Sequence, residues 1–257
     1  MTDAIYTYAV IDAGTAPPDV GAILPGSALF TLEEGEVAAL ASPVPRAWFE
    51  AGPQCRTDDP DWLAERAAAH HAVVAGLHDA VLPLAFGAIF SDEAPLRAWL
   101  REGASRFAAA LSAVRGRSEW SVLLAEDAVA HAAWLRAHDT GLATLAARAE
   151  AAGPGTAFML ARQLERALAT ARQQRRHDST LALGRLLEGI TEHLRAGAPR
   201  QENAVAGFNL LLPGPAQARL RAALEAAAGE LDGTGLGLAL SGPWPPYAFA
   251  REAVAHG

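Results

Sequence analysis

Eight histidines carry most of the reactive potential in this chain, and their spacing limits what they can do. His71 and His78 stand seven apart, as do His131 and His138, so each pair can share a helix face. Paired zinc ligands on a helix stand four apart, and no HExxH run occurs. Asp127 and His131 do have the four-residue spacing, which chelation needs but which is commonplace on any helix. The sequence therefore places the histidines on solvated helix surfaces.

Other routes to catalysis are closed as well. The serines in "ASP", "FSD" and "LSG" match no GxSxG elbow. All 21 basic residues are arginine, so neither a P-loop lysine nor a lysine Schiff base is available. The glycines of "GTGLGLALSG", Gly233–Gly242, lead into a strand, whereas phosphate binding wants a helix N-terminus. The single cysteine, Cys55, excludes an intrachain disulfide and a multi-cysteine zinc site. A formal charge of −8 argues against a nucleic-acid partner, which selects a basic face. No catalytic residue, metal ligand or cofactor site is assigned, and the chain reads as no enzyme.

The elements that would position any site read as α+β. "AIYTYAVID", "ALFTL" and "EVAALAS" are strands, and Asp59 caps a helix with Pro60 at its first position. "LPLAFGAIF" reads as a buried strand, and Ser91 as the cap of the helix after it. These give an N-terminal domain, residues 1–116, with a small sheet and helices on one face. "EWSVLLAED" opens a C-terminal domain, residues 117–257. A helix over "AVAHAAWLRAHDTGLATLAARAE" precedes a longer one from Thr156 to Leu194, about 60 Å if the polar run "RQQRRHDS" does not interrupt it. Ala161, Leu164, Leu168 and Ala171 alternate spacings of three and four, so the two helices are expected to form a long antiparallel hairpin. The strand "AVAGFNLLL", a helix and the strand "GLGLALSG" complete a unit of ferredoxin-like character. The start of the chain shows no basic leader, and "HAVVAGLHDAVLPLAFGAIF" is broken by Asp79 and Pro83, so a cytoplasmic protein without a membrane span is expected.

Near the end, "LSGPWPPYAFARE" reads as neither helix nor central strand. Proline restricts the residue before it, so Gly242, Trp244 and Pro245 are stiff without a hydrogen-bond ladder. Stiffness lowers the ordering cost of docking, which makes Trp244, Pro245, Pro246, Tyr247 and Phe249 candidate partner-binding residues. The competing reading packs Trp244 and Phe249 back onto the domain's own sheet.

"SGPWPPYAF", "VLPLAFGAIFSDE", "EWSV", "GPGTAFMLARQ" and "FNLLL" stand in an order that resembles the gas vesicle protein GvpL/GvpF family. The resemblance runs from "YTYAVID" to Phe249, and its frame is Pro83, Phe86, Gly87, Trp120, Phe208, Asn209, Gly242 and Pro243. It implies a two-domain, non-enzymatic accessory protein of gas vesicle assembly, without cofactor, located in the cytoplasm or on the vesicle. Its implied partners are the hydrophobic GvpA-type shell protein and other accessory proteins. Whether it is a transient assembly factor or a retained minor component stays open. A small-molecule-binding regulatory module is the alternative.

Overall fold

The computed structural model describes residues 3–50, 55–77, 80–199 and 201–255. The chain divides into two compact units, residues 1–119 with 243–257, and residues 120–242. The segment from Pro243 onward thus returns to the first unit, whereas its place in the sequence suggested the second.

In the first unit β1 (Asp3–Asp12) is central. It pairs with β3 (Val37–Pro45), which pairs with β2 (Phe30–Glu34) through a hairpin whose turn holds Gly35 at φ +66°. On its other side β1 pairs with β4 (Val81–Pro83) and β5 (Ile89–Phe90). "LPLAFGAIF" is thus two short strands around a loop, because the positive φ of Gly87, +90°, turns the chain out of the sheet. Tyr6 through Ile11 are buried without a break, so both faces of the strand are covered. The one-sided sheet expected from sequence does not hold, because the alternate positions of β1 and β3 are small residues that hide under cover without looking strongly hydrophobic.

Helix α1 (Pro60–Ala75) starts as predicted, with the Asp59 carboxylate accepting from the Trp62 N–H. It supplies Val73 and Val74 to a core with Tyr6, Tyr8 and Leu40. Helix α2 (Glu93–Val114) buries Leu96, Leu100, Phe107 and Leu111, spaced for one helix face. Its cap is Asp92, which accepts from the Ala94 N–H, and Ser91 instead donates to Asp92.

The second unit is built on a four-stranded sheet in the order β7-β8-β6-β9. In β6 (Arg117–Glu126), Trp120, Val122, Leu124 and Glu126 are buried while Ser121, Leu123 and Ala125 between them are only half-buried. That period of two marks a sheet with one packed face. Onto this face fold Leu183 and Leu187 of α5 (Pro154–Glu188) and Leu220 and Leu224 of α6 (Ala216–Leu231). The remaining strands are β7 (Leu194–Gly197), β8 (Ala204–Pro213) and β9 (Leu236–Trp244), giving the strand–helix–strand–strand–helix–strand order of a split βαβ unit.

The helix expected over "AVAHAAWLRAHDTGLATLAARAE" is two, α3 (Ala128–His138) and α4 (Thr140–Glu150). Asp139 separates them, because its extended backbone ends one helix while its carboxylate caps the next at the Leu142 N–H. Helix α4 packs along α5, which continues unbroken through "RQQRRHDS" for 35 residues. Leu164, Leu168 and Ala171 are half-buried on it, while Ala161 is exposed.

Gly235 is a sharp test of this packing. It sits at φ +78°, and a Cβ there would lie 2.6 Å from the Cα of His131. Gly235→Ala is expected to destabilise the chain by roughly 2–4 kcal/mol, from a backbone clash added to left-handed strain. Gly237→Ala, with open space around it, is expected to stay within about 1 kcal/mol. Urea midpoints of the two variants check the contrast.

Candidate functional site

The proline-rich terminus is ordered by three local devices. First, β9 runs through Pro243 to Trp244 as the last strand of its sheet, where a proline without an N–H is tolerated. Gly242, at φ +126°, supplies a conformation that side chains rarely adopt. Second, Pro245 and Pro246 donate nothing, but their carbonyls accept, Pro245 from Tyr247 N–H and Pro246 from Phe249 and Ala250 N–H. Third, the buried Glu119 carboxylate accepts from the Ala248 N–H at 2.7 Å, placing a negative charge at a helix start. The outcome is α7 (Tyr247–Val254), so the reading of this segment as non-helical is corrected. A capping acid from 129 positions away has no local sequence signal.

These devices aim the aromatics. Tyr247 is half-buried, and its ring stacks on His71 with the hydroxyl 3.3 Å from Nδ1. Burial, with help from the Glu119 charge, pushes the Tyr247 phenol up to about 12. Trp244 meets His71 edge-on at 5.6 Å and remains 40% exposed, which is unusual for so large an apolar ring. Pro246 is buried, and Pro245 and Phe249 are half-buried. Of the two residues expected to pack back onto the domain's own sheet, Phe249 is half-buried and Trp244 is exposed, and it is Tyr247 that packs on the core of the first unit.

The frame residues sort into two places. Pro83, Phe86 and Gly87 line a cavity of about 450 Å³ together with Tyr247, Arg251 and Val254, so two blocks distant in sequence meet. Trp120 is buried in the second unit under the Arg221 guanidinium, 4.9 Å from its ring. Phe208 packs beside Gly184, and Ser121 Oγ donates to Asn209 Oδ1 at 2.8 Å.

Beneath the cavity lies a polar cluster that sequence reasoning missed. The Tyr6 hydroxyl accepts from the Gly87 N–H at 3.3 Å and donates to His70 Nδ1 at 2.8 Å. His70 is buried against Tyr8 and Phe86. Burial holds its pKa down at about 4, so the ring is neutral at ordinary pH. His131 is buried too, and its Nδ1 donates to Glu126 Oε1 at 2.6 Å. Arg172 forks onto both oxygens of the same carboxylate at 2.5 and 2.8 Å. These hydrogen bonds, against the opposing effect of burial, hold Glu126 at about 2. The placement of all histidines on helix surfaces is thus wrong for His70 and His131. Tyr6 and His70 stand 64 positions apart, so no local pattern in the sequence signalled their contact.

The metal spacings dissolve in three dimensions. Asp127 caps α3 at the Val129 and Ala130 N–H groups while His131 turns to Glu126. His138 stacks on Trp134 instead of facing His131. His78 lies outside the described residues. Cys55 is half-buried with its sulfur 3.1 Å from Thr57 Oγ1. Among the described residues no group of three or more His, Cys, Asp or Glu stands close enough to hold a metal ion.

Residues 4–251 match the gas vesicle synthesis protein GvpL/GvpF family. The chain belongs to that family. It is 31% identical over 234 residues to gas vesicle protein L of a Streptomyces species, covering 85% of this chain and 82% of the relative. Gas vesicle protein L2 of Halobacterium salinarum is 25% identical over 266 residues, covering 98% and 93%. The fold is similar to the crystal structure of the gas vesicle protein GvpF from Anabaena, with TM-score 0.75 at 16% identity over 99% of this chain and all of that one. GvpF from Microcystis aeruginosa gives 0.67 at 14% identity, covering 96% and 98%. Family membership makes this GvpL/GvpF chain a protein of gas vesicle formation. No helix among its described residues is long and apolar enough to cross a membrane.

Buried His70 gives the chain a specific acid sensitivity. Below pH 6.5 the unfolded chain takes up a proton here that the folded chain refuses until about pH 4. Stability from the neutral ring is therefore complete above pH 6.5 and is lost as pH falls through that window, by at most about 3 kcal/mol. His70→Phe is expected to lower stability at pH 8, where the Tyr6 hydroxyl loses its acceptor, and to flatten the decline between pH 6.5 and 4. Urea midpoints across that range, parallel for wild type and variant, would contradict it.

Proposed function

We propose that the chain is a non-enzymatic accessory protein that holds the apolar gas vesicle shell protein, and other accessory proteins, during assembly. The acting domains are a cytoplasmic N-terminal α+β body and a ferredoxin-like second body with its helical hairpin. Shell subunits must keep a strongly apolar face out of water before they assemble, and unprotected copies aggregate. An adaptor that covers such a face needs apolar contact residues held in place beforehand, since each ordered side chain otherwise costs affinity.

The observation that carries this reading is Trp244. A proline-flanked indole, wedged on His71 and still 40% exposed, is a preformed anchor of the type that dominates protein interfaces. Phe158 and Met159 at the start of α5 supply a second apolar patch, 61% and 66% exposed. Tyr247, Pro245, Pro246 and Phe249 support the anchor more than they offer contact area.

Co-expression tests the proposal. The soluble fraction of the shell protein is expected to rise severalfold when this chain is present, and to fall back with Trp244→Ala. That substitution is expected to shift the melting temperature by only a few degrees, because it removes an exposed ring. Equal shell-protein solubility with and without the chain overturns the holding role.

A further inference from the structure

Helices α5 and α6 lie on the same face of the second sheet, and alanines occupy the positions where they approach. Ala182 on α5 faces Ala223, Ala226 and Ala227 on α6. Packed helices stand about 8–10 Å apart according to the side chains between them. Here larger residues below, Leu183 and Leu224, hold both helices on the sheet, and the alanines above cannot fill the space. The result is an open trough of about 460 Å³, floored by Leu124, Leu186, Leu231 and Leu238. On α5 it runs from Arg175 to Leu186, roughly 16 Å or three helical turns. Leu181 beside it is 45% exposed.

The rim specifies charge. Asp178 and Glu230 stand exposed on opposite walls; Asp178 accepts a hydrogen bond from Gln174 on its own helix, but among the described residues neither carboxylate is ion-paired. Arg175, the one cation of the lining, directs its guanidinium over the Trp134 ring at 5.1 Å. Its Nε is buried and has no acceptor among the described residues, so this cation faces the Trp134 ring and does not neutralise the rim carboxylates.

We infer that this trough docks an amphipathic helix of another protein, its apolar stripe between α5 and α6 and basic residues beside the stripe facing Asp178 and Glu230. The inference rests on the protein-holding role proposed above but names a different surface and a different partner chemistry. Three turns present anchors at i, i+3, i+4 and i+7, which is what an apolar slot of this length accepts. These two carboxylates, neither neutralised by a cation, discriminate against an acidic helix, for which like charges would be forced together at the rim.

Two fluorescein-labelled helical peptides of about 18 residues test it, sharing one leucine stripe and differing only in lysine or glutamate flanks. Fluorescence anisotropy with the full chain is expected to show the lysine peptide binding at least tenfold tighter. Asp178→Arg with Glu230→Arg is expected to reverse the preference, and Ala226→Trp, which fills the trough from an exposed position, to abolish binding. Equal binding of both peptides, or an affinity that Ala226→Trp leaves unchanged, overturns the inference. Should Ala226→Trp disturb the fold by circular dichroism, the charge-reversal pair decides alone. Concentration-dependent dimerisation of the chain that the charge-reversal pair abolishes assigns the trough to a second copy and also overturns it. Ala226→Trp is expected to leave shell-protein solubilisation intact while Trp244→Ala impairs it, so the two readings fail separately.

Discussion

A charged hydrogen bond from the Ala248 N–H to the buried Glu119 carboxylate anchors the start of the helix that ends the described chain. Helix starts leave N–H groups without partners, and the residues before α7 are prolines that carry no capping side chain. Without an acceptor the segment would stay an extended tail, stiff but undirected. With Glu119 in place it begins a helix at Tyr247, and a helix has a fixed face. Tyr247 then meets His71 and the loop of Phe86 and Gly87, while Trp244, three residues earlier and outside the helix, keeps its ring at the surface. Exposure of that indole is thus a consequence of what the neighbouring tyrosine is made to do.

The second unit uses a carboxylate in a comparable way but for another purpose. Glu126 ends β6, and its oxygens collect Arg172 from α5 and His131 from α3. Burying a charge is costly unless every lone pair is engaged, and here three close donors engage it. Hydrophobic residues of the same volume would serve stability equally well, yet they would not fix the register of a long helix whose middle is polar. Among residues 157–182 of α5 none is fully buried, so apolar packing cannot hold that stretch alone. The ion cluster, with Gln174 donating to Asp178 one turn on, explains why "RQQRRHDS" stays helical.

Much of the frame was legible because it follows local rules. Asp59 before Pro60 and the β-branched and aromatic β1 each announce themselves within a few residues. Sequence distance decides what was hidden. Glu119 under Ala248, Glu126 under Arg172 and Tyr6 against His70 are contacts between remote positions, and no spacing rule reaches them. Asp139 was missed for another reason: one residue both ends α3 and starts α4, and helical periodicity passes over so short a break. The family resemblance marked Pro83, Phe86 and Gly87 as frame residues, but only the fold places them beside Tyr247.

The two carboxylate knots bear on how a holding protein can work. An apolar surface that is flexible collapses on itself or on a neighbour, whereas one held rigid pays no ordering cost when a partner arrives. Trp244 is rigid because its neighbours are prolines and Glu119 fixes the helix that follows. The trough between α5 and α6 stays open because leucines beneath it are anchored to the sheet and alanines above cannot close it. In both places the exposed feature is small and its support is large. That proportion lets a chain of net charge −8 present small apolar contacts on an otherwise charged surface.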